Sequence, residues 1–352
     1  MSTTKKKRSF PTSWKKQLSW VMTLLVIIVS YLAYVLFFPS IYTFNSKVNY
    51  LYIKDNSNFK DVVNNIKVST KTSNISTFYQ ASTILRYGSK IRSGKYELKN
   101  GMNNFQLIRM LRSGKQTPVK LTFNNIRTKE QLAGKLSEQL MADSTSILQL
   151  LNDSSYLSQF HLNPYTSIAL FIPNTYEIYW NTNANNLFDR MYKEYTKFWT
   201  PQRKAKADSI PLTLAEVSTL ASIVEEETNN SKDRPMVAGL YINRLKAEMP
   251  LQADQTVKYA VGDFTIKRIL FGHLRTQSPY NTYKNTGLPP GPIRVATEAG
   301  IDAVLNYGKH NYIYMCASET LNGMHKFASD WDEHSRNAKK YQEELNKRKI
   351  FK

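Results

Sequence analysis

No charged residue occurs between Lys16 and Lys47, and the centre of that gap, Leu18 to Phe38, reads LSWVMTLLVIIVSYLAYVLFF. A helix needs about 20 residues to cross the hydrocarbon core of a bilayer, and these 21 are mostly apolar. Trp14, Trp20, Tyr42 and the Phe37-Phe38-Pro39 end have the character of interfacial flanks. A cleaved signal peptide would have a shorter apolar core followed by a small-x-small cleavage site. Neither is present, so the segment reads as an uncleaved transmembrane helix. Lys5, Lys6, Lys7, Arg8, Lys15 and Lys16 precede it, and positive residues stay inside. The expected topology is a single pass through the cytoplasmic membrane, with the N-terminus in the cytoplasm and the remaining 314 residues outside.

That topology changes how the charge is read. The 352 residues carry 48 Lys and Arg against 27 Asp and Glu, a formal net charge of +21. Six positive charges belong to the tail, which leaves +15 outside the membrane. Nucleic acid is not expected as a partner there, whereas an anionic envelope polymer or lipid headgroups fit. A single cysteine excludes a disulfide framework within the monomer and any multi-thiolate metal site.

From about Asn45 to Gln116 the chain is polar and rich in Ser, Asn and Lys. A strand is expected at Tyr50 to Ile53, and helical spacing follows at Phe59-Val62-Val63-Ile66 and Phe105 to Leu111. Ser93 to Leu98 and then Asn100-Gly101-Met102 read as a strand entering a turn and a helix. Gln116-Thr117-Pro118 is a boundary. Beyond it come a strand (Val119 to Phe123), an amphipathic helix (Thr128 to Leu140) and a helix from Asn186 to Trp199. A polar break is expected from Pro201 to Pro211, a buried strand from Tyr312 to Ala317, and a charged terminal helix from Ser329 to Lys349.

The stretch LAEVSTLASIVEEET, Leu214 to Thr228, has strong helical periodicity. Val217, Leu220, Ile223 and Val224 share one face. Continuing that stripe by three and four residues reaches Glu227, while Glu225 lies about 200° and Glu226 about 100° around the helix. A carboxyl drawn out of water has its charged form disfavoured and its pKa raised, as a general acid near neutral pH requires. Periodicity alone favours an ordinary charged helix end beyond the last core turn. Three acids at a helix C-terminus oppose the macrodipole, which favours a special role.

The following loops, MPLQADQTVKY (Met249 to Tyr259) and SPYNTYKNTGLPPGPI (Ser278 to Ile293), are rich in Asn, Gln, Thr, Tyr and Pro. Such residues suit a rigid polar groove with aromatic platforms for a carbohydrate. Together with ASIVEEET (Ala221 to Thr228) and YINRLKAEMPLQADQTVKY (Tyr241 to Tyr259), these segments closely resemble the endolytic murein transglycosylase, or YceG-like, family. FIPNTYEIYW, GMHKF (Gly323 to Phe327) and DEHSRN (Asp332 to Asn337) are similar to its further motifs, in the same order. SGKYELKNGM and LRSGKQ (Ser93 to Gln116) resemble its N-terminal LysM-like module. This chain departs from the family pattern at Glu226, Ala253, Gln255, Arg294 to Thr297, Met324 and Ser335.

The apolar span and the resemblance together imply an α+β chain in four parts. These are a cytoplasmic basic tail (1–17), a transmembrane helix (18–38), a small LysM-like α+β module (45–116) and a larger mixed α/β catalytic domain (117–352). The resemblance implies a lytic transglycosylase that cleaves between N-acetylmuramic acid and N-acetylglucosamine in peptidoglycan glycan strands, leaving 1,6-anhydromuramoyl ends and terminating strand elongation. Peptidoglycan synthases are expected as partners. The catalytic residue of the family pattern falls on Glu227, the glutamate that the helical wheel also marks. Glu225 is a candidate helper, and Gln252, Asp254, Tyr280, Asn281, Tyr283 and His325 are candidate glycan contacts. No metal or cofactor is expected. The five histidines lack paired metal-ligand spacing, Cys316 reads as a core residue, and Ser222 has no glycine-framed elbow. The rival expectation is a non-catalytic anchor that binds peptidoglycan and recruits synthesis proteins.

Overall fold

The computed structural model describes residues 12–44, 49–72 and 74–350. Lys5, Lys6, Lys7 and Arg8 of the basic tail lie outside the described residues. The chain divides into two compact units. One comprises residues 1–119 with 178–181, and the other 120–177 with 182–352.

The first unit begins with α1 (Thr12–Phe37), of which Trp14–Phe37 is long and apolar enough to cross a membrane. The side chains from Trp14 to Tyr34 are exposed, whereas Val35 is 1% exposed. There the helix becomes part of the unit's core. β1 (Pro39–Ile41) follows, then β2 (Asn49–Ile53), α2 (Phe59–Ser69), α3 (Ile75–Ile84), β3 (Gly94–Leu98), β4 (Met102–Asn103) and α4 (Asn104–Ser113). β2 and β3 pair antiparallel from Asn49↔Leu98 to Ile53↔Gly94. Alternation drives Leu51, Ile53, Tyr96 and Leu98 inward against Val62, Val63 and Ile66 of α2 and Leu107, Ile108 and Leu111 of α4. Capping boxes start α2 (Asn58 with Asp61) and α4 (Asn103 with Gln106), satisfying the first orphan amides. The strand and helices expected here are present. The uncharged α3 carries no apolar stripe and was not foreseen.

In the second unit β5 (Val119–Thr122) leads to α5 (Lys129–Ser137), α6 (Ser144–Asn152), α7 (Ser154–Ser158) and β6 (Thr175–Ile178), with β5 and β6 paired. Then come α8 (Ala184–Phe198), α9 (Pro201–Ser209), α10 (Leu214–Glu227), α11 (Arg234–Lys246), α12 (Asp254–Val261) and α13 (Glu298–Leu305). A hairpin, β7 (Tyr314–Ala317) with β8 (His325–Ala328), packs against α14 (Trp331–Lys347). The polar break expected at Pro201 to Pro211 is largely the helix α9. Thr200 caps it and Pro201 occupies its first turn, where a missing N–H costs nothing. The strand expected to be buried at Tyr312 to Ala317 is half-buried, and Cys316 with it. The hairpin forms a two-stranded sheet with α14 packed against it.

α10 packs against α11, α12 and α13. Every residue from Val217 to Glu225 is buried. Small side chains (Ser218, Thr219, Ala221, Ser222) form the sides opposite the apolar stripe and let neighbours approach closely. The Ser222 hydroxyl donates to the Thr219 carbonyl and accepts from the Ile293 amide at 3.0 Å. That contact fixes the Pro-rich loop before Ile293 to the helix.

Candidate active site

The three glutamates ending α10 meet three different environments. Glu225, expected on the solvent side of the wheel, is 4% exposed, because the helix is enclosed on all sides. Its carboxylate accepts from the Thr297 amide at 3.1 Å and from the Thr297 hydroxyl, and Arg234 lies 3.8 Å away. Both oxygens are thereby committed to the start of α13. Glu226 forms ion pairs with Arg127 at 2.9 Å and Arg294 at 3.0 Å. Arg294, with Arg127, thus neutralises the Glu226 carboxylate.

Glu227 is half-buried and has no ion pair of this kind. Its Oε1 is shut off from solvent and has no hydrogen-bond partner. Burial raises its pKa from 4.5 to about 7, and the negative charge of Asp254 adds to the rise. Nearby His325, the Tyr241 hydroxyl and the Gln255 amide offset part of it. An unpartnered carboxyl oxygen in a dry position costs free energy that folding must recover elsewhere. Such a group is a candidate proton donor.

Asp254 opens α12 and accepts from the Tyr283 hydroxyl at 2.6 Å. Thr282 ties the two loops together. Its hydroxyl accepts from the Ala253 amide at 3.0 Å and contacts the Thr256 hydroxyl at 2.8 Å, while its carbonyl accepts from the Gln252 amide at 3.1 Å. Gln252 has the left-handed backbone angle φ 52° and an exposed side chain, held by Arg244 at 3.3 Å. The structure thus brings Glu227, Asp254, Tyr283, Gln252 and His325 into one neighbourhood. Tyr280 stands further along the loop, half-buried with its ring 4.6 Å from that of Tyr259. Asn281 is 0% exposed. Its amide donates to the Leu274 and Thr276 carbonyls and its oxygen accepts from the Tyr283 amide, so its bonds shape the loop.

Three residues near Glu227 were not singled out from the sequence. Asp233, 1% exposed, sits at the start of α11 yet makes no capping bond to it. Its oxygens face His325 instead, one 2.6 Å from Nδ1 and the other 3.4 Å from the backbone amide. Tyr241 and Arg244 lie one turn apart on α11, both buried. Arg244 donates to the carbonyls of Ile313, Pro250 and Leu251, joining the hairpin to the loop that carries Gln252. Their three-residue spacing was the available signal; Asp233 had none.

A cavity of about 990 Å³ lies toward the other end of α10, lined by Thr213, Glu216, Thr219, Trp199 and Leu245 among others, and Glu227 is not in its wall. The helix separates Thr213 from Glu227 by roughly 20 Å. Among the described residues no three His, Cys, Asp or Glu side chains are grouped so as to hold a metal ion.

Residues 51–340 match the YceG-like family. The chain is 30% identical over 269 residues to the endolytic murein transglycosylase of Bacillus subtilis strain 168, covering 72% of this chain and 74% of that protein. It is 29% identical over 279 residues to the protein of the same name from Streptococcus pneumoniae strain D39, covering 70% of this chain and half of that one. The 2.6 Å crystal structure of a yceG-like protein from Listeria monocytogenes superposes with a TM-score of 0.56 at 24% identity, over 83% of this chain and 99% of that one. That likeness speaks to the fold alone.

Proposed function

The chain belongs to the YceG-like family, and from that membership and the environment of Glu227 we propose that it is a membrane-anchored endolytic peptidoglycan transglycosylase. The observation that carries the reading is the solvent-shielded, unpartnered Oε1 on a carboxyl whose pKa is pushed up to about 7. A large fraction of Glu227 is then protonated near neutral pH, with one oxygen uncommitted.

In the proposed reaction protonated Glu227 donates to the glycosidic oxygen between N-acetylmuramic acid and N-acetylglucosamine, and the muramoyl C1–O bond breaks. Positive charge develops at C1, and the exposed carboxylate of Asp254, steadied by Tyr283, offers compensating charge nearby. The muramoyl 6-hydroxyl attacks C1 and gives its proton to the Glu227 carboxylate. The products are a 1,6-anhydromuramoyl end, a free N-acetylglucosamine 4-hydroxyl and regenerated acid, with no water consumed. Glycoside hydrolysis, by contrast, uses two carboxylates and consumes water. His325, oriented through Nδ1 by Asp233, presents its other nitrogen to substrate. Gln252 and Tyr280 are assigned to the glycan groove, whereas Glu225 and Asn281 are assigned to holding its walls.

In the same proposal α1 is an uncleaved anchor with a cytoplasmic N-terminus, the module after it is LysM-like and holds glycan, and cleavage terminates nascent strands near the synthases. The test is digestion of purified glycan strands by the full chain in isotopically labelled water, with products read by mass spectrometry. Unlabelled anhydro ends are expected. Labelled reducing ends would make it a hydrolase, and retention on sacculi without cleavage would make it an adaptor.

A further inference from the structure

The region just after α1 holds most of the net positive charge outside the N-terminal tail. Residues 41–119 contain 13 Lys and Arg against three acids. Within that basic module one stretch has no charge at all, from residue 72 to residue 85. It contains α3, and α3 packs against α1.

The contact is not confined to the end of α1. The Tyr31 hydroxyl donates to Gln80 Oε1 at 2.9 Å. Tyr31 lies six residues before the end of α1, or about 9 Å down the helix axis. α3 therefore runs beside the outermost part of the apolar span. Nor is there a linker that would let the module swing away. Asn104 of α4 donates to the Val35 carbonyl at 2.9 Å and accepts from Ser40 at 2.8 Å, and the Phe37 and Phe105 rings are 5.4 Å apart.

α3 buries Thr77, Phe78, Ala81 and Ser82 in the module and turns its other side outward. There Tyr79 is 41% and Ile84 45% exposed. Beside it lies a depression of about 340 Å³ lined by Leu85, Phe105, Ile108, Arg109 and Arg112 among others. Arg86 follows the uncharged stretch directly and is exposed. The outward side of α3 sets Tyr79 and Ile84 among the polar Ser76, Gln80 and Thr83; tyrosine favours the membrane–water interface, and guanidinium groups pair well with phosphate.

We propose that α3 lies at the boundary between headgroups and acyl chains of the outer leaflet, with Arg86, Arg109 and Arg112 on the phosphates of anionic lipids. The module is thus seated in the bilayer surface and not tethered above it. This rests on α1 being a membrane span, which the test checks separately.

The experiment uses the full chain with Cys316→Ser and a single introduced cysteine carrying an environment-sensitive fluorophore. The chain is reconstituted in phosphatidylcholine–phosphatidylglycerol vesicles containing nitroxide-labelled lipids. Leu25→Cys reports on α1, Ile84→Cys on α3, and Lys60→Cys, on α2, is the control. The expected result is quenching of the Leu25 probe by nitroxides near the bilayer centre. The Ile84 probe should show a blue shift and quenching by nitroxides near the headgroup, and the Lys60 probe neither. A quenched Leu25 probe with a water-like Ile84 probe would overturn the seating while leaving the anchor intact. An unquenched Leu25 probe would remove the anchor and the seating together. Adding Arg86→Glu and Arg109→Glu should red-shift the Ile84 probe in the mixed vesicles but not in pure phosphatidylcholine; equal spectra in both would overturn the phosphate contact.

Discussion

At the scale of the residue, the proposed chemistry turns on how two neighbours pull Glu227 in opposite directions. Asp254 raises its pKa and His325 lowers it, on top of the rise from burial. Activity that depends on the protonated acid should fall about tenfold per pH unit above about 7. Asp254→Asn should move that alkaline limb to lower pH and His325→Gln to higher pH. Shifts in the same direction would contradict the assignment. The same pKa sets a stability cost. Between pH 4.5 and about 7 the folded chain holds more protons than the unfolded one, so stability falls as pH rises through that window. Glu227→Gln should therefore stabilise the protein by roughly 2 kcal/mol at about pH 8, allowing for partial solvent access, and the gain should vanish in acid. Urea unfolding at several pH values measures it. Asp233→Asn should lower turnover on the order of a hundredfold by releasing His325, with a smaller change in stability than in rate. Glu227 was legible because an acid on an apolar stripe breaks a pattern. Asp233 was not, since nothing in a sequence joins residues 233 and 325 before a hairpin is placed on a helix.

At the scale of the element, α10 shows where periodicity misleads. The stripe of Val217, Leu220, Ile223 and Val224 marks one buried face correctly, but it implies a solvent face that does not exist. Small residues enclosed by α11 and α13 look polar in a helical wheel, so Glu225 was expected outside. Its real position makes it a tie between α10 and α13. A Cβ at Gly300 would stand 2.5 Å from the Glu225 carboxyl carbon, so Gly300→Ala should lower stability by about 1–3 kcal/mol. The thermal midpoint reads that loss, and a midpoint equal to wild type would contradict the tie. Other elements divide by the same physics. α2, α4, α8 and α14 carry amphipathic spacing and were legible. α9 is too polar for its spacing to show, although its Thr-Pro start was a usable signal. The Tyr312 to Ala317 run looked like core because apolar composition does not reveal how many layers will cover a strand.

At the scale of the whole molecule, the longest apolar run and the motif order were the most legible features, because both depend on composition along the chain and not on pairing across it. The chain divides into two units after Val119. What the sequence left hidden is that residues 178–181 return to the first unit, a long-range pairing with no local mark. Charge divided only between the tail and the rest concealed its concentration in residues 41–119. The central claim, that one glutamate both gives and takes the proton, is tested most directly on the full chain. Purified glycan strands are incubated with wild type and with Glu227→Gln, folding is verified by the thermal midpoint, and anhydro ends are counted by mass spectrometry. The expected result is anhydro ends from wild type and none above the blank from a folded Glu227→Gln. Anhydro ends from the folded variant at a rate near that of wild type would contradict it.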